Sequence, residues 1–349
     1  MTIKIKRILI CKLKFYGDVL LTTPVIASLK QRYPHADIDM LLYKDTKAIL
    51  AADPRINEFY LIEKKVSLLK KVRNFLSVLR QLKKNNYDLV INLTEQWPVG
   101  YLVHSLQRYS IAFEREKAAW NKLFTKVVPS HGIHIVEQNL SILQAINIQG
   151  KDNIKELSLF YTEDDRRSLL KLAPNINDKN YVVIQPTARQ AFKCWDDDKF
   201  ALVIDDLGQR GLEVILTCGP IESELEQVSR IAQLCVHKPD LRFAGKTSFL
   251  QLAALIDGAI LYIGVDSAPM HMAAALNKPQ ICLFGATNPK QWRPWSDKAV
   301  LIWAGDYHKM PERSELDRSR TYLSWIPAKD VIKAVDVLLD NKKEDNNDK

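Results

Sequence analysis

Long apolar runs are absent from this sequence of 349 residues. A helix needs about 20 consecutive apolar residues to cross a bilayer, and no segment here reaches that length. The basic N-terminus is followed by an apolar stretch too short for a secretion signal, with no small-residue cleavage site after it. We therefore expect a protein that stays in the cytoplasm.

Paired cysteines are absent as well. The five cysteines are dispersed, with no CxxC pair, which is typical of free thiols in a reducing compartment. Cys11, Cys218 and Cys282 lie in apolar, strand-like runs, where a thiol usually serves as buried packing. A reactive cysteine remains the alternative.

Glycine-rich phosphate loops are the third absence. A dinucleotide-binding oxidoreductase carries GxGxxG after its first strand, because pyrophosphate approaches the backbone closely there. The corresponding segment here, KLKFYGDVLLTTP (12–24), contains only Gly17, which is expected to permit a tight turn. The P-loop pattern GxxxxGK occurs nowhere. Nicotinamide-dependent redox chemistry and P-loop phosphoryl transfer are therefore not expected.

Positive charge is concentrated in the first half of the chain. Residues 1–178 contain 28 Lys and Arg against 18 Asp and Glu, a surplus of +10, whereas residues 179–349 contain 22 against 23, or −1. The first half is therefore expected to bind an anionic partner. The sign of its net charge does not show whether that partner is nucleic acid, an anionic lipid or an acidic glycolipid. Segment 66–85 predicts a basic helix that is either solvated or docked on a phosphate-rich surface. Its cations are Lys70, Lys71, Arg73, Arg80, Lys83 and Lys84.

Short apolar runs alternate with amphipathic segments, which is typical of parallel α/β architecture. The predicted strands are 7–13, 38–43, 56–62, 88–93, 181–186, 212–219, 259–264 and 280–285. The predicted helices are 17–33, 66–85, 198–211, 222–235, 248–257, 267–276 and 327–340. Near-continuous apolar strands indicate sheets covered on both faces. The pattern restarts near 180, which predicts two domains joined by a linker within 150–180 and followed by a disordered polar tail at 342–349.

The loops after strands hold the candidate residues, because open parallel sheets bind ligands beyond the carboxyl ends of their strands. Asp18 follows the first strand and is either a general base for an attacking hydroxyl or a helix cap. Lys12 and Lys14 beside it are placed either to hold an anionic acceptor or to keep Asp18 ionised.

The first loop of the second half, QPTARQAFKCWDDDKF (185–200), offers a hydroxyl and two cations where a diphosphate would bind. These residues are Thr187, Arg189 and Lys193. A basic surface loop is the alternative. Trp195 is expected to hold the loop by packing. The acidic run 196–198 suggests a metal site, but acidic residues are common in a first helical turn, and no metal is expected.

A second strand-to-helix junction lies at 264–267. Asp266 and Ser267 begin a helix whose N–H groups suit a phosphate or sugar hydroxyls, with capping as the alternative for Asp266. His271 falls inside that helix. Asp37 and Asp39 form a DxD pair, a pattern found at metal sites, but they begin a strand and so lie at the wrong edge of the sheet.

Together these segments resemble the ADP-heptose:lipopolysaccharide heptosyltransferases, glycosyltransferase family 9, over residues 7–340. The resemblance is carried by GDVLLTTPVI, the KCW element, and GVDSAPMHMAAA followed by LFGAT. PTARQ with FKCW, WRPW and AGDY are most similar to the subgroup called heptosyltransferase III. Several separate motifs in the same order make the resemblance specific.

The resemblance implies a GT-B fold, in which two Rossmann-like, doubly wound parallel-sheet domains face a central cleft. It implies an acceptor domain at 1–165, an ADP-heptose domain at 175–326, and a helix at 327–341 that returns to the first domain. Asp18 corresponds to the base. The implied acceptor contacts are Lys12, Lys14 and Gly17. The implied donor contacts are Thr187, Lys193, Glu224, Thr247, Asp266, Ser267, Ala268 and His271.

The implied reaction is inverting transfer of L-glycero-D-manno-heptose from ADP-heptose to a heptose of the lipopolysaccharide inner core. It would take place at the cytoplasmic face of the inner membrane, on an anionic surface, without metal, cofactor or nucleic acid. The alternatives are heptosyltransferase I or II activity on a different acceptor, and another GT-B sugar-nucleotide enzyme such as an epimerase. A basic binding protein without catalysis is a third, but it would not need Asp, Lys and Asp together in strand-end loops.

Overall fold

The structure is a computed structural model that describes residues 5–64, 66–176, 180–312 and 314–347. The chain divides into two compact units, Met1–Phe160 and Tyr161–Lys349, here called unit 1 and unit 2. The division falls a few residues before the domain end predicted at 165. No helix in the described part of the chain is both long enough and apolar enough to cross a membrane.

Unit 1 contains a six-stranded parallel sheet. Its strands are β1 (Arg7–Cys11), β2 (Asp37–Tyr43), β3 (Ile56–Ile62), β4 (Leu89–Asn92), β5 (Ser110–Phe113) and β6 (Lys126–Val128). Its helices are α1 (Tyr16–Leu20), α2 (Thr23–Arg32), α3 (Leu68–Lys84), α4 (Trp97–Ser105), α5 (Ala118–Asn121) and α6 (Ile135–Ser141). The strand order β3-β2-β1-β4-β5-β6 reverses direction between β1 and β4. The loops after these two strands therefore form a topological switch point, where open α/β sheets bind ligands.

Unit 2 contains a five-stranded parallel sheet. Its strands are β7 (Tyr181–Gln185), β8 (Glu213–Leu216), β9 (Leu261–Val265), β10 (Gln280–Phe284) and β11 (Ala299–Trp303). Its helices are α7 (Glu163–Leu172), α8 (Asp197–Gln209), α9 (Glu222–Leu234), α10 (Phe249–Gly258), α11 (Ala268–Ala275), α12 (Pro289–Trp292) and α13 (Ala328–Asn347). In the order β11-β10-β9-β7-β8 the switch point lies between β7 and β9. A parallel bridge between Ile215 and Asp240 extends the sheet beyond β8, so unit 2 repeats the order of unit 1.

The central strands are apolar because the sheets are covered on both faces. Every residue of β4, β7, β9 and β10 is buried, and β1 is buried except at Arg7. This confirms the predicted pair of parallel α/β sheets covered on both faces. The strands β5, β6 and β11 were not predicted. β5 and β6 have only four and three residues, and β11 is mostly half-buried at a sheet edge, so none presents a continuous apolar run.

The helix predicted at 17–33 is two helices, α1 and α2. Pro24 lies in the first turn of α2, and its ring nitrogen cannot donate to the preceding turn, so a continuous helix is broken there. The hydroxyl of Thr22 donates to the carbonyl of Val19 at 2.6 Å across the break. The break reduces α1 to a single short helix of five residues that carries Asp18.

Two segments predicted to be irregular are helical. α7 lies inside the predicted 150–180 linker and starts with a capping box, in which Thr162 and Asp165 exchange backbone-to-side-chain hydrogen bonds of 2.9 and 3.2 Å. α13 continues to Asn347, so the tail predicted to be disordered from 342 is helical through that residue. Lys and Glu are good helix formers even in a polar run. Residues 177–179 of the linker and 348–349 of the tail lie outside the described residues.

The buried side chains of α13 pack in unit 2. Val331, Ala334 and Val335 belong to the hydrophobic core that contains β7 to β10 and α8. The predicted return of helix 327–341 to the first domain remains a prediction.

Candidate active site

The switch point of unit 1 is built by the loops after β1 and β4. The backbone N–H of Leu13 donates to Thr94 Oγ1 at 2.7 Å, and Gln96 Nε2 donates to the Leu13 carbonyl at 2.9 Å. The Tyr43 hydroxyl, at the end of β2, donates to Gln96 Oε1 at 3.0 Å. Three strand ends thus fix the backbone of the loop that leads to Asp18.

Asp18 lies in the first turn of α1 and is half-buried. The N-cap position belongs to Phe15, and α1 has no side-chain cap hydrogen bond. Within the residues that the structure describes, no hydrogen bond or ion pair engages the Asp18 carboxylate. The capping alternative therefore does not account for Asp18, and its carboxylate is available to accept a proton.

Lys12 is the buried cation of this loop. Its side chain is 4% exposed, and Nζ donates to Asn139 Oδ1 at 3.0 Å. Asn139 in turn donates to the Leu21 carbonyl at 2.9 Å, which ties the ammonium to the end of α1. Burial lowers the pKa of Lys12 to about 8, an effect that the nearby Asp18 charge opposes. The Lys12 ammonium is therefore held in the interior of unit 1.

The two other predicted acceptor contacts occupy different positions. Lys14 is half-buried in the same loop and is closer to solvent than Lys12. Gly17, predicted to permit a tight turn, is the second residue of α1, and its φ is not among the positive values found for described glycines. The turn from strand to helix is instead made by the residues before it.

The switch point of unit 2 brings Lys193 and Asp266 together. Lys193 ends a 3₁₀ turn after β7, and Asp266 follows β9. Their Nζ and Oδ2 atoms are 2.6 Å apart, with side-chain exposures of 25% and 10%. The N-cap of α11 is Ser267, so Asp266 is engaged by Lys193 and does not occupy the cap position of that helix. The sequence predicted both residues as donor contacts but did not predict that they pair.

A chain of hydrogen bonds that starts at the ends of β7 and β8 fixes Glu224. Thr217 Oγ1 donates to Gln185 Oε1 at 2.7 Å, and Gln185 Nε2 donates to Thr187 Oγ1 at 2.8 Å. Thr187 Oγ1 donates to Glu224 Oε2 at 2.7 Å, where the backbone N–H of Gly219 also donates at 2.7 Å. Thr187 is 1% exposed and its proton is committed, so in this arrangement it orients Glu224.

The remaining predicted donor contacts lie on α11 and just before α10. Ala268 is the first residue of α11, and His271 is 4% exposed in the same helix. Thr247 is half-buried and directly precedes Ser248, the N-cap of α10. Ala268 and His271 thus lie in the first turn of α11, which follows β9. Thr247 lies just before α10, the helix that precedes β9.

Trp195 holds the loop after β7, as the sequence predicted. Its ring is 2% exposed, packs edge-on against Phe200 at 5.0 Å, and donates from Nε1 to the Ile326 carbonyl at 3.1 Å. The packing prediction is confirmed. The anchor also explains how a loop with a 3₁₀ turn keeps Lys193 at a defined position.

The acidic pairs noted in the sequence are engaged elsewhere. Asp196 pairs with Lys199 at 2.8 Å, and Asp197 pairs with Arg230 at 2.9 Å. Asp39 is fully buried and pairs with Arg7 at 2.8 Å. Across residues 5–64, 66–176, 180–312 and 314–347, no group of three or more His, Cys, Asp or Glu is arranged to hold a metal ion.

The cysteines are inert packing in this structure. All five are buried, without disulfides. Burial raises the pKa of both Cys218 and Cys235 to about 11. A thiol that stays protonated is a poor nucleophile, so the reactive-cysteine alternative is not supported.

Sequence reasoning missed several polar residues that position the site. Thr94 and Gln96 follow the predicted strand 88–93. Gln185 ends β7 and Thr217 directly follows β8, so the strand-end rule would have found all four. Asn139 gave no signal, because it lies on α6, 127 residues from Lys12. Contacts at that sequence separation are fixed only by the tertiary fold.

The sequence is similar to known proteins over most of its length. The model of glycosyltransferase family 9 (heptosyltransferase) matches residues 75–323. Lipopolysaccharide heptosyltransferase 3 of Escherichia coli K12 is 52% identical over 333 residues, which cover 94% of this chain and 96% of that protein.

Two solved structures share the fold. The glycosyl transferase family 9 structure from Veillonella parvula has a TM-score of 0.83 at 24% identity and covers 97% of this chain and 98% of its own. E. coli ADP-heptose lipopolysaccharide heptosyltransferase II has a TM-score of 0.77 at 20% identity and covers 97% and 99%. These similarities confirm the predicted GT-B fold class. Because the family model matches more than half of this chain, the chain belongs to glycosyltransferase family 9, the heptosyltransferase family.

Proposed function

We propose that this chain is an inverting heptosyltransferase that moves L-glycero-D-manno-heptose from ADP-heptose to a heptose of the lipopolysaccharide inner core. The observation that carries the proposal is the 52% identity, across nearly the whole of both chains, to a protein named lipopolysaccharide heptosyltransferase 3. The geometry of the two switch points supplies the groups that such a transfer needs.

Asp18 is the general base in this proposal. Its carboxylate has no hydrogen bond or ion pair within the described residues, so it can accept the proton of the attacking hydroxyl. The oxygen then attacks the anomeric carbon from the face opposite ADP, which inverts the configuration. Proton transfer of this kind contributes about 10² to 10⁴-fold to a rate.

The Lys193–Asp266 pair is the proposed donor site. The ammonium and carboxylate are 2.6 Å apart, and a diphosphate would compete with Asp266 for Lys193. As ADP-heptose binds, Lys193 turns to the diphosphate and Asp266 is released to accept hydrogen bonds from heptose hydroxyls. The ion pair thus keeps both groups in place until the donor replaces it.

Metal-independent transfer is part of the proposal. The charge that develops on ADP is met by the Lys193 ammonium and by the N–H groups at the start of α11. In the acidic run 196–198, Asp196 and Asp197 already pair with Lys199 and Arg230. No cofactor other than the donor substrate is proposed.

We further propose that the enzyme works in the cytoplasm at the inner-membrane surface. The +10 surplus of residues 1–178 supports this location, because a positive field raises the local concentration of an anionic glycolipid. The six cations of α3 provide part of this field.

The test is transfer itself. The protein is incubated with ADP-heptose and a panel of truncated core acceptors, and the mass of each product is measured. We expect one heptose to be added to acceptors that already carry inner-core heptose. Addition only to acceptors that lack heptose would mean heptosyltransferase I activity, and no mass gain on any acceptor would overturn the proposal. The Asp18→Asn variant serves as the inactive control.

A further inference from the structure

The first half of α3 exposes a continuous apolar stripe. Leu68 is 76% exposed, Leu69 79%, Val72 50% and Leu76 43%. At about 100° per residue, these four side chains fall within an arc of about 100° on the helix. Single exposed apolar residues are ordinary on a protein surface, whereas a contiguous set marks a surface that meets another apolar phase.

The stripe belongs to a helix that is firmly held. Val78 and Leu82, in the second half of α3, are buried in the core of unit 1. In the first half, Asn74 accepts from the backbone N–H of Glu63 at 3.1 Å and donates to the Leu61 carbonyl at 3.3 Å. The exposed stripe is therefore presented on a helix fixed to β3 and the core.

The charge of α3 indicates what the stripe meets. The helix has six cations and no acidic residue, with Arg73 and Arg80 along one margin of the stripe. Apolar side chains bordered by cations suit acyl chains beneath anionic headgroups. A second copy of this chain would bring six like charges to the same contact, which opposes self-association through α3.

The start of α3 is also close to the loop that carries Asp18. The Lys64 ammonium, just before the helix, lies 4.6 Å from the centre of the Phe15 ring and 3.9 Å from that of Tyr43. Phe15 is itself 48% exposed and is the N-cap of α1. The apolar stripe and the proposed base thus belong to one continuous part of unit 1.

We infer that the first half of α3 is a membrane anchor, in which Leu68, Leu69 and Val72 enter the acyl region of an anionic bilayer. Arg73, Arg80 and the neighbouring lysines bind the phosphate headgroups. The anchor holds the Asp18 loop at the height where the sugars of a lipid-linked acceptor begin. Only this last step rests on the proposed function, because insertion into lipid requires neither donor nor acceptor.

Vesicle binding tests the anchor. The triple variant Leu68→Gln, Leu69→Gln, Val72→Gln removes the stripe but keeps the charge and the helix propensity. Its matched control is Leu202→Gln, Leu234→Gln, Val236→Gln, which replaces three apolar residues of unit 2 that are 54–80% exposed. Both are compared with the wild type on phosphatidylethanolamine vesicles with about a quarter phosphatidylglycerol, at low and high salt, because salt weakens headgroup attraction but not insertion.

We expect the triple variant to bind at least about tenfold more weakly, which corresponds to about 1.4 kcal/mol, and to lose the binding that persists in high salt. The control should bind like the wild type. Equal, salt-resistant binding by variant and wild type would overturn the anchor. The anchor would also be overturned if sedimentation showed that the wild type is a dimer and the triple variant a monomer, because a second copy of the chain would then cover the stripe.

A probe on the stripe reports insertion directly. All five native cysteines are buried, so Leu69→Cys gives one exposed thiol for an environment-sensitive dye. A blue shift on adding anionic vesicles is expected, and an unchanged spectrum would overturn insertion. Transfer to a soluble, lipid-free acceptor should be unaffected in the triple variant. If the wild type itself showed no transfer to this acceptor, the proposed function would be refuted, whereas the membrane anchor would still stand.

Discussion

Asp18 and Asp266 each follow a strand of a parallel sheet, yet their carboxylates are in different surroundings. Asp18 makes no hydrogen bond or ion pair within the described residues, whereas Asp266 is 2.6 Å from the Lys193 ammonium. A carboxylate that must take a proton has to be accessible to it, while one that must orient a sugar benefits from a fixed position. The two environments match the two proposed roles.

Replacing Asp18 by Asn should leave the fold intact and lower kcat by at least about 10²-fold, the scale for removing a general base. The amide has nearly the same volume but cannot take the proton. Steady-state kinetics and the melting temperature are measured together. Asp37→Asn, an exposed carboxylate at the start of β2, is the control with unchanged kcat. Near-wild-type turnover in the Asp18 variant would exclude it as the base.

Replacing Lys193 by Ala should weaken ADP binding by about 1.5–3 kcal/mol, the value of a charge-assisted hydrogen bond. Calorimetric titration with ADP measures the change. The control is Lys298→Ala. Lys298 is exposed and directly precedes β11, so it lies at the amino edge of the sheet, opposite the carboxyl edge where Lys193 lies. Equal ADP affinity in the Lys193 variant, with unchanged turnover, would mean that the diphosphate binds elsewhere.

Lys12 gives a pH-dependent prediction. Burial lowers its pKa from 10.5 to about 8, so between about pH 8 and pH 10.5 the unfolded chain binds more protons than the folded one. Stability then rises with pH across this window. The free energy of unfolding of the wild type, relative to Lys12→Met, should therefore increase from pH 8 to 10.5. A difference that stays flat or falls would show that the ammonium is not destabilised by burial.

At the scale of elements, the proposed membrane contact of α3 has two parts that experiments can separate. The apolar stripe would insert into lipid, and the cations would supply an attraction screened over about 8 Å at physiological ionic strength. The proposed order of events is electrostatic approach followed by insertion of the stripe.

Replacing Lys70, Lys71, Lys83 and Lys84 by Gln should reduce binding to anionic vesicles that contain the acceptor, most strongly at low salt. ADP affinity should stay unchanged, because the proposed donor contacts belong to unit 2. Co-sedimentation across a salt series measures the first and calorimetry the second. The control is Lys117, Lys122, Lys151 and Lys155 replaced by Gln, which removes the same charge from exposed positions elsewhere in unit 1. Equal vesicle binding by both variants and the wild type would mean that α3 is only a solvated face.

For the whole molecule, transfer should survive EDTA. The proposed charge stabilisation comes from Lys193 and the start of α11. Asp266, Asp196 and Asp197 each pair with a cation. Product formation with and without chelator is the measurement. Loss of activity that Mg²⁺ restores would contradict metal independence and direct attention to Asp196, Asp197 and Asp198.

The sequence by itself determined the fold class and the location of the candidate residues. Apolar strands such as 181–186 and 259–264 are recognisable because burial on both faces requires a continuous apolar run. The rule that ligands bind beyond the carboxyl ends of strands then directed attention to Asp18, Lys193 and Asp266, which follow β1, β7 and β9. These are local properties, since each depends on a few consecutive residues.

Only the tertiary structure decided which side chains meet. Lys193 and Asp266 are 73 residues apart and Lys12 and Asn139 are 127 apart, and no local pattern encodes such pairs. The exposure of Leu68 and Leu69 could not be predicted from the sequence either. The pattern of an amphipathic helix predicts that its apolar residues are buried, and only the packing shows which of them are exposed. The physical reason is that pairing and burial depend on how elements pack, whereas helix and strand patterns depend on neighbours in sequence.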